Sequence, residues 1–211
     1  MNAAHAHSLS GLYIILDPSV CPTTRPLIEV LRRAAEAGAS LFQYRNKSTS
    51  MKDAYVEALA LRQGAAKAGV LFIVNDRCDL ALAVNADGVH LGQGDLPFDL
   101  ARKVLGPNKL IGISTHNPDQ VREATIGKPD YLGFGPIFTP GSKQDHDPVV
   151  GLDGLRAVRS LTSLPVFAIG GIQVDQVREV LQAGADGVAV ISAILKAPDI
   201  SRGVKSFLAQ M

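Results

Sequence analysis

Apolar residues recur along this chain as short, nearly unbroken runs, each followed by a longer stretch in which they return at helical intervals. The runs are Leu12–Leu16, Leu41–Arg45, Leu71–Val74, Gly88–Leu91, Leu110–Ile113, Tyr131–Phe134, Val166–Ile169 and Val188–Ile191. Rich in Val, Ile and Leu, they have the character of strands buried on both faces. Leu27, Val30, Leu31 and Ala34 space at i, i+3, i+4 and i+7, and Val177, Val180 and Leu181 repeat the idea, as helices covering a sheet should.

A helix-to-strand joint recurs as Ala37-Gly38-Ala39-Ser40-Leu41, Asn85-Ala86-Asp87-Gly88-Val89 and Ala183-Gly184-Ala185-Asp186-Gly187-Val188. Its Gly or Asn suits the left-handed residue that ends a helix, and three copies point to a repeated β–α unit. Strict β–α alternation demands a parallel sheet. Eight evenly spaced units without a dinucleotide-binding fingerprint predict one α/β domain over residues 1–211, a closed (β/α)8 TIM barrel, with residues 1–10 as a flexible N-terminus. The one long irregular stretch, Gly135–Asp153, follows the sixth strand, and a loop of that length in a compact domain is usually functional.

Charge and composition narrow the function. The 211 residues carry 21 Lys and Arg against 20 Asp and Glu, a net charge of +1, with 46% hydrophobic and 19% charged residues. That balance argues against general nucleic-acid binding and against disorder, and the absence of Trp argues against base stacking. Cys21 and Cys78 match neither a disulfide framework nor a zinc spacing. No apolar run approaches the roughly 18 residues of a membrane span, and Met1 to Ser10 lack the basic-then-apolar order of a secretory signal. The expectation is a soluble, reduced, cytoplasmic protein acting on small molecules, with homodimerisation left open.

In such barrels chemistry gathers where strands end. On the second strand Gln43, Arg45 and Lys47 alternate onto one face, while Phe42 and Tyr44 face the covering helices. Two cations at a barrel mouth need partners: salt bridges to barrel carboxylates, or an anionic ligand, for which Arg45 has the fork geometry. Asp76 follows the third strand after Asn75, and Asp95 follows the fourth. Either suits a helix cap. Together, beside an anion site, they fit magnesium, which takes one or two carboxylates, several waters and phosphate oxygens. His90 reads as a hydrogen-bonded interior histidine. Ser114 ends the fifth strand and can donate into the mouth or cap the next helix. His116 is placed like an acid–base group, but Asn117-Pro118 follows at once, and a loop histidine is usually solvated. Thr139-Pro140-Gly141-Ser142-Lys143 has the composition to wrap a phosphate, although a plain surface loop looks much the same. Ile169-Gly170-Gly171-Ile172 and Val190-Ile191-Ser192-Ala193 follow the seventh and eighth strands, where many barrels hold phosphate. Two anion sites result, one at strand two and one at strands seven and eight.

These residues resemble the thiamine phosphate synthase family over nearly the whole chain. The likeness is carried by Gln43-Tyr44-Arg45-Asn46-Lys47, Asn75-Asp76, His90-Leu91-Gly92-Gln93-Gly94-Asp95, Gly133-Phe134-Gly135-Pro136-Ile137-Phe138, Lys143, Ile169-Gly170-Gly171-Ile172 and Ala185-Asp186-Gly187-Val188. The glycine motifs are shared with other phosphate-binding barrels, whereas the strand-two and strand-three motifs are more specific. The resemblance implies a Mg2+-dependent transferase that joins hydroxymethylpyrimidine diphosphate to a thiazole phosphate, releasing pyrophosphate and thiamine phosphate. By matching position it implies that Gln43, Tyr44, Arg45, Asn46, Lys47 and Asn75 bind the pyrimidine diphosphate and that Asp76 and Asp95 hold the metal. Ser114 and Lys143 would contact the departing diphosphate, so that Arg45, Lys47, Ser114 and Lys143 form the catalytic group. Pro140, Gly141, Ser142, Gly171, Ile191 and Ser192 would bind the thiazole phosphate. One departure stands out: the family's sixth loop usually reads Pro-Thr-x-Thr-Lys, and here Pro140 brings neither a hydroxyl nor an N–H. Two rivals are a thiazole tautomerase on the same barrel, which needs neither the Arg45 and Lys47 pair nor both carboxylates, and a non-catalytic phosphate-ligand sensor.

Overall fold

The computed structural model describes residues 9–139 and 148–211. Its strands are β1 (Gly11–Leu16), β2 (Leu41–Tyr44), β3 (Leu71–Asn75), β4 (Gly88–Leu91), β5 (Leu110–Thr115), β6 (Tyr131–Phe134), β7 (Val166–Ile169) and β8 (Gly187–Val190). All eight run parallel and close in sequence order into a barrel. The seam pairs β1 with β8, from Gly11 opposite Gly187 to Ile14 opposite Val190. The expected (β/α)8 architecture is therefore present, with small shifts in strand ends. β3 runs on through Asn75 and β5 through Thr115, both polar positions that apolar character alone could not include.

The covering helices are α1 (Leu27–Glu36), α2 (Met51–Ala68), α3 (Cys78–Ala83), α4 (Phe98–Leu105), α5 (Pro118–Gly127), α6 (Gly151–Arg159), α7 (Val177–Gln182), α8 (Ser192–Leu195) and α9 (Ile200–Leu208). The helix α1 buries Leu27, Val30, Leu31 and Ala34, the stripe its spacing predicts. Alternation along each strand divides the core in two. Leu12, Ile14, Leu16, Phe42 and Tyr44 pack outward under the helices. Tyr13, Ile15, Leu41, Ile73, Tyr131 and Phe167 fill the barrel itself.

The repeated joints close the bottom of the barrel. Gly38, Asn85 and Gly184 all take positive φ, at 110°, 53° and 109°. A carboxylate then clamps every second joint. Asp87, Asp130 and Asp186 accept the N–H groups of Phe72, Ile111 and Val166, each at 2.8 Å. Arg62, Arg102 and Arg159 hold the same three carboxylates from α2, α4 and α6. These clamps tie the sheet at its N-terminal face, opposite the end where such barrels carry chemistry. Cys21 and Cys78 are free and buried. Among the described residues no helix is long and apolar enough to cross a membrane.

Candidate active site

The C-terminal ends of the strands open into a cavity lined by Gln43, Arg45, Asn75, His90, Ser114 and Ser192 among others. At β2 the predicted alternation holds. Gln43 points inward and donates to the Tyr13 hydroxyl at 2.7 Å, while Tyr44 turns outward and donates to Glu57 Oε2 at 2.6 Å. Arg45 pairs with Asp17, just past β1. Asp17 is 2% exposed, and Ser19 pins it through its backbone N–H at 2.9 Å and its hydroxyl at 2.6 Å. A carboxylate held this firmly fixes the guanidinium fork that faces the cavity.

Lys47 reaches across the rim to Asp76, with Nζ 3.0 Å from Oδ2. Asp76 is left-handed, with φ at 63°, and its N–H donates to the His90 carbonyl at 2.8 Å. Asp95 accepts the Gly92 N–H at 2.6 Å. Burial, and then the neighbouring Asp76 carboxyl, push the Asp95 carboxyl above its usual range. Neither aspartate caps a helix. Arg77 and Pro97 occupy the cap positions before α3 and α4, and neither helix has a side-chain cap. Instead, two carboxylates converge beside Lys47, and among the described residues no group of three or more His, Cys, Asp or Glu is arranged to hold a metal.

Deeper in the barrel, His90 contacts the Tyr131 hydroxyl through Nδ1 at 3.2 Å and Ser114 Oγ through Nε2 at 2.9 Å. Tyr13 and Tyr131 share a hydroxyl–hydroxyl bond of 2.9 Å. Burial pushes both tyrosine hydroxyls up, so they stay protonated, and it holds the His90 imidazole down from 6.5 to about 4. On the opposite rim, Gly170 and Gly171 have φ of 100° and 68°. A Cβ on Gly171 would stand 2.7 Å from the Thr139 carbonyl oxygen. The glycine turn after β7 thus packs against the start of the sixth loop, and Phe138 N–H donates to the Gly170 carbonyl at 3.0 Å. Ser192 opens α8 beside it.

The family model described as thiamine monophosphate synthase matches residues 12–194. The chain belongs to the thiamine monophosphate synthase family. It is 46% identical over 194 residues to the thiamine-phosphate synthase of Moorella thermoacetica, covering 92% of each chain. It is 46% identical over 198 residues to that of Chloroflexus aurantiacus, covering 94% of this chain and 91% of the relative. Among solved structures, the thiamine phosphate pyrophosphorylase of Pyrococcus furiosus superposes with a TM-score of 0.85 at 39% identity, covering 95% of this chain and 94% of that one.

Against the site residues that the synthase resemblance implies, the barrel brings Gln43, Arg45, Asn75, Ser114, Gly171, Ile191 and Ser192 to one cavity. Lys47, Asp76 and Asp95 stand at its rim as a cluster. Tyr44 and Asn46, which the resemblance also implies, both turn their side chains to Glu57 on α2, Asn46 Nδ2 at 3.3 Å. The strand pleat sends Tyr44 away from the mouth, leaving only its backbone near the substrate face. Pro140, Gly141, Ser142 and Lys143 lie outside the described residues. His116 is a correction: it lines the cavity, and its Nδ1 contacts the Gly135 carbonyl at 2.7 Å instead of standing in solvent. Sequence reasoning missed Asp17, Tyr13 and Tyr131. Asp17 follows a strand just as Asp76 and Asp95 do, so the same strand-end rule would have found it.

The buried neutral His90 makes a stability prediction. Its folded value near 4 lies below the unfolded 6.5, so its contribution is complete above 6.5 and is lost as pH falls toward 4. Between pH 7 and pH 5 the loss is about 2 kcal/mol. Urea midpoints at the two pH values should show it in the wild type and not in His90→Gln. Equal pH slopes in the two proteins would overturn the assignment.

Proposed function

We propose that this chain condenses hydroxymethylpyrimidine diphosphate with a thiazole phosphate, yielding thiamine phosphate and pyrophosphate. The observation that carries the reading is a charged cluster at β2 to β4, facing a glycine-and-helix rim at β7 and β8 across one cavity. Such a mouth suits a diphosphate on one side and a monophosphate on the other.

The charges of the cluster say more. Among the described residues Arg45 and Lys47 stand against Asp17, Asp76 and Asp95, an excess of carboxylate that by itself repels a diphosphate. Two converging hard oxygen donors fit Mg2+, so Asp76 and Asp95 would hold it, and when bound it would neutralise diphosphate oxygens. Arg45, fixed by Asp17, orients the diphosphate. Ser114 and Lys47 add donors on the leaving-group side. As the carbon–oxygen bond to diphosphate breaks, the electron-rich aminopyrimidine delocalises positive charge, and these donors stabilise the charge growing on the leaving group. The thiazole nitrogen then forms the new carbon–nitrogen bond. Gly171, Ile191 and Ser192 would hold the thiazole phosphate at a distance from the bond that breaks.

The decisive experiment mixes both substrates with the protein and Mg2+ and follows thiamine phosphate and pyrophosphate together. Equimolar appearance of both is expected. Isomerised thiazole without pyrophosphate would replace this reading with the tautomerase one.

A further inference from the structure

Beneath the cavity, five side chains from five different strands form one hydrogen-bonded line: Gln43, Tyr13, Tyr131, His90 and Ser114. The line has a direction. Gln43 Nε2 can only donate, so the Tyr13 oxygen accepts from it at 2.7 Å. The Tyr13 hydroxyl, fully buried, must place its own proton elsewhere, and the acceptor within reach is the Tyr131 oxygen at 2.9 Å. The Tyr131 proton then goes to His90 Nδ1. A neutral imidazole that accepts at Nδ1 carries its proton on Nε2, and that N–H donates to Ser114 Oγ at 2.9 Å. No buried side-chain nitrogen or oxygen among the described residues is left without a partner, as this assignment requires. The last proton in the line, on Ser114 Oγ, is thereby turned toward the cavity that Ser114 lines.

We infer that the Gln43–Tyr13–Tyr131–His90 line is a positioning relay that makes Ser114 an obligatory hydrogen-bond donor to an anionic oxygen of the substrate. Read in the opposite sense, the line would make Ser114 donate to His90 and present only lone pairs to the cavity, which an anion refuses. Packing locks the parts in place. Gly112 on β5 has no room for a Cβ, which would run into the Tyr131 ring and stand 2.6 Å from His90 Nδ1. His90 and Tyr131 stack with centroids 5.4 Å apart, and Phe167 meets both tyrosine rings edge-on at 5.2 and 5.6 Å. The relay residues do not need to touch the diphosphate to matter. They fix the orientation of one hydroxyl before substrate arrives, which removes a reorganisation cost from the reaction.

The inference rests on the proposed reaction only for the identity of the anion. The first measurement is therefore independent of turnover: long-range nitrogen–proton NMR of protein labelled with 15N-histidine, the His90 signals assigned by their loss in His90→Gln. The expected spectrum shows a neutral ring protonated on Nε2, with the Nδ1–H form appearing in Tyr131→Phe. A wild-type ring protonated on Nδ1 would overturn the relay, whatever the protein catalyses. The second measurement is a double-mutant cycle on thiamine phosphate formation. Tyr131→Phe should lower kcat about tenfold, the scale of one hydrogen bond to a charged group, with little change in KM for the pyrimidine diphosphate. In a Ser114→Ala background the same substitution should cost almost nothing, because the hydroxyl that the relay aims is gone. Losses that simply multiply would show that Tyr131 acts by another route and sink the proposal. A protein with the expected His90 spectrum but no thiamine phosphate formation would refute the reaction and leave the relay standing.

Discussion

Removing the divalent cation should abolish turnover almost completely, by about a thousandfold, the several kcal/mol that a metal contributes to a developing anion. Replacing either rim carboxylate should do nearly the same. The clean variant at position 76 is Asp76→Asn, because this residue sits at φ 63°, where Asn is tolerated and Ala adds backbone strain. Asp95→Asn keeps an oxygen for the Gly92 N–H, which donates to it at 2.6 Å. Neither residue caps a helix, so thermal unfolding of both variants should stay close to that of the wild type. With two carboxylates converging among the described residues, the free protein should bind Mg2+ weakly and bind it more tightly once inorganic pyrophosphate supplies further oxygens. Calorimetric titration of Mg2+ with and without pyrophosphate checks that coupling. Full activity in excess chelator would remove the metal from the reaction.

Why these two aspartates converge was only half legible from their positions. Each follows a strand, and each stands just before a helix, so capping and metal binding compete on equal local terms. What turns Asp76 away from the cap is set at long range: its N–H is held by the carbonyl of His90, on the neighbouring strand. The barrel itself was readable because its strands are buried on both faces and so carry unbroken apolar runs. The pleat of β2 was readable too: alternation alone turns the Tyr44 side chain toward the helices, where its hydroxyl meets Glu57. What no local pattern reveals is the relay. Tyr13 and Tyr131 lie 118 residues apart, and His90 and Ser114 are 24 apart. Their hydroxyls and ring nitrogens meet only because closure of the barrel sets the register of every strand against the next.

Truncating Arg45 and crowding Gly171 should separate the two substrates. Arg45→Ala is expected to lower kcat/KM for the pyrimidine diphosphate about a hundredfold, the upper range for a hydrogen bond to a charged group. Part of that loss should fall on kcat, because charge on the diphosphate grows as the bond breaks. The variant also strands Asp17, 2% exposed, without its cation, so some loss of stability accompanies it. Arg45→Ala/Asp17→Asn removes that buried charge and should recover stability without recovering activity. Gly171→Ala makes the opposite cut. Its φ of 68° and the Thr139 carbonyl oxygen 2.7 Å from the new Cβ force the turn after β7 to move, on the side of the cavity away from Arg45. Its KM for the thiazole phosphate should rise while kcat holds, since that phosphate takes no part in bond breaking. Steady-state titrations of one substrate at a time, on each variant, read the two patterns directly. A Gly171→Ala protein whose KM rose only for the pyrimidine diphosphate would place both phosphates on the β2 side and undo the division.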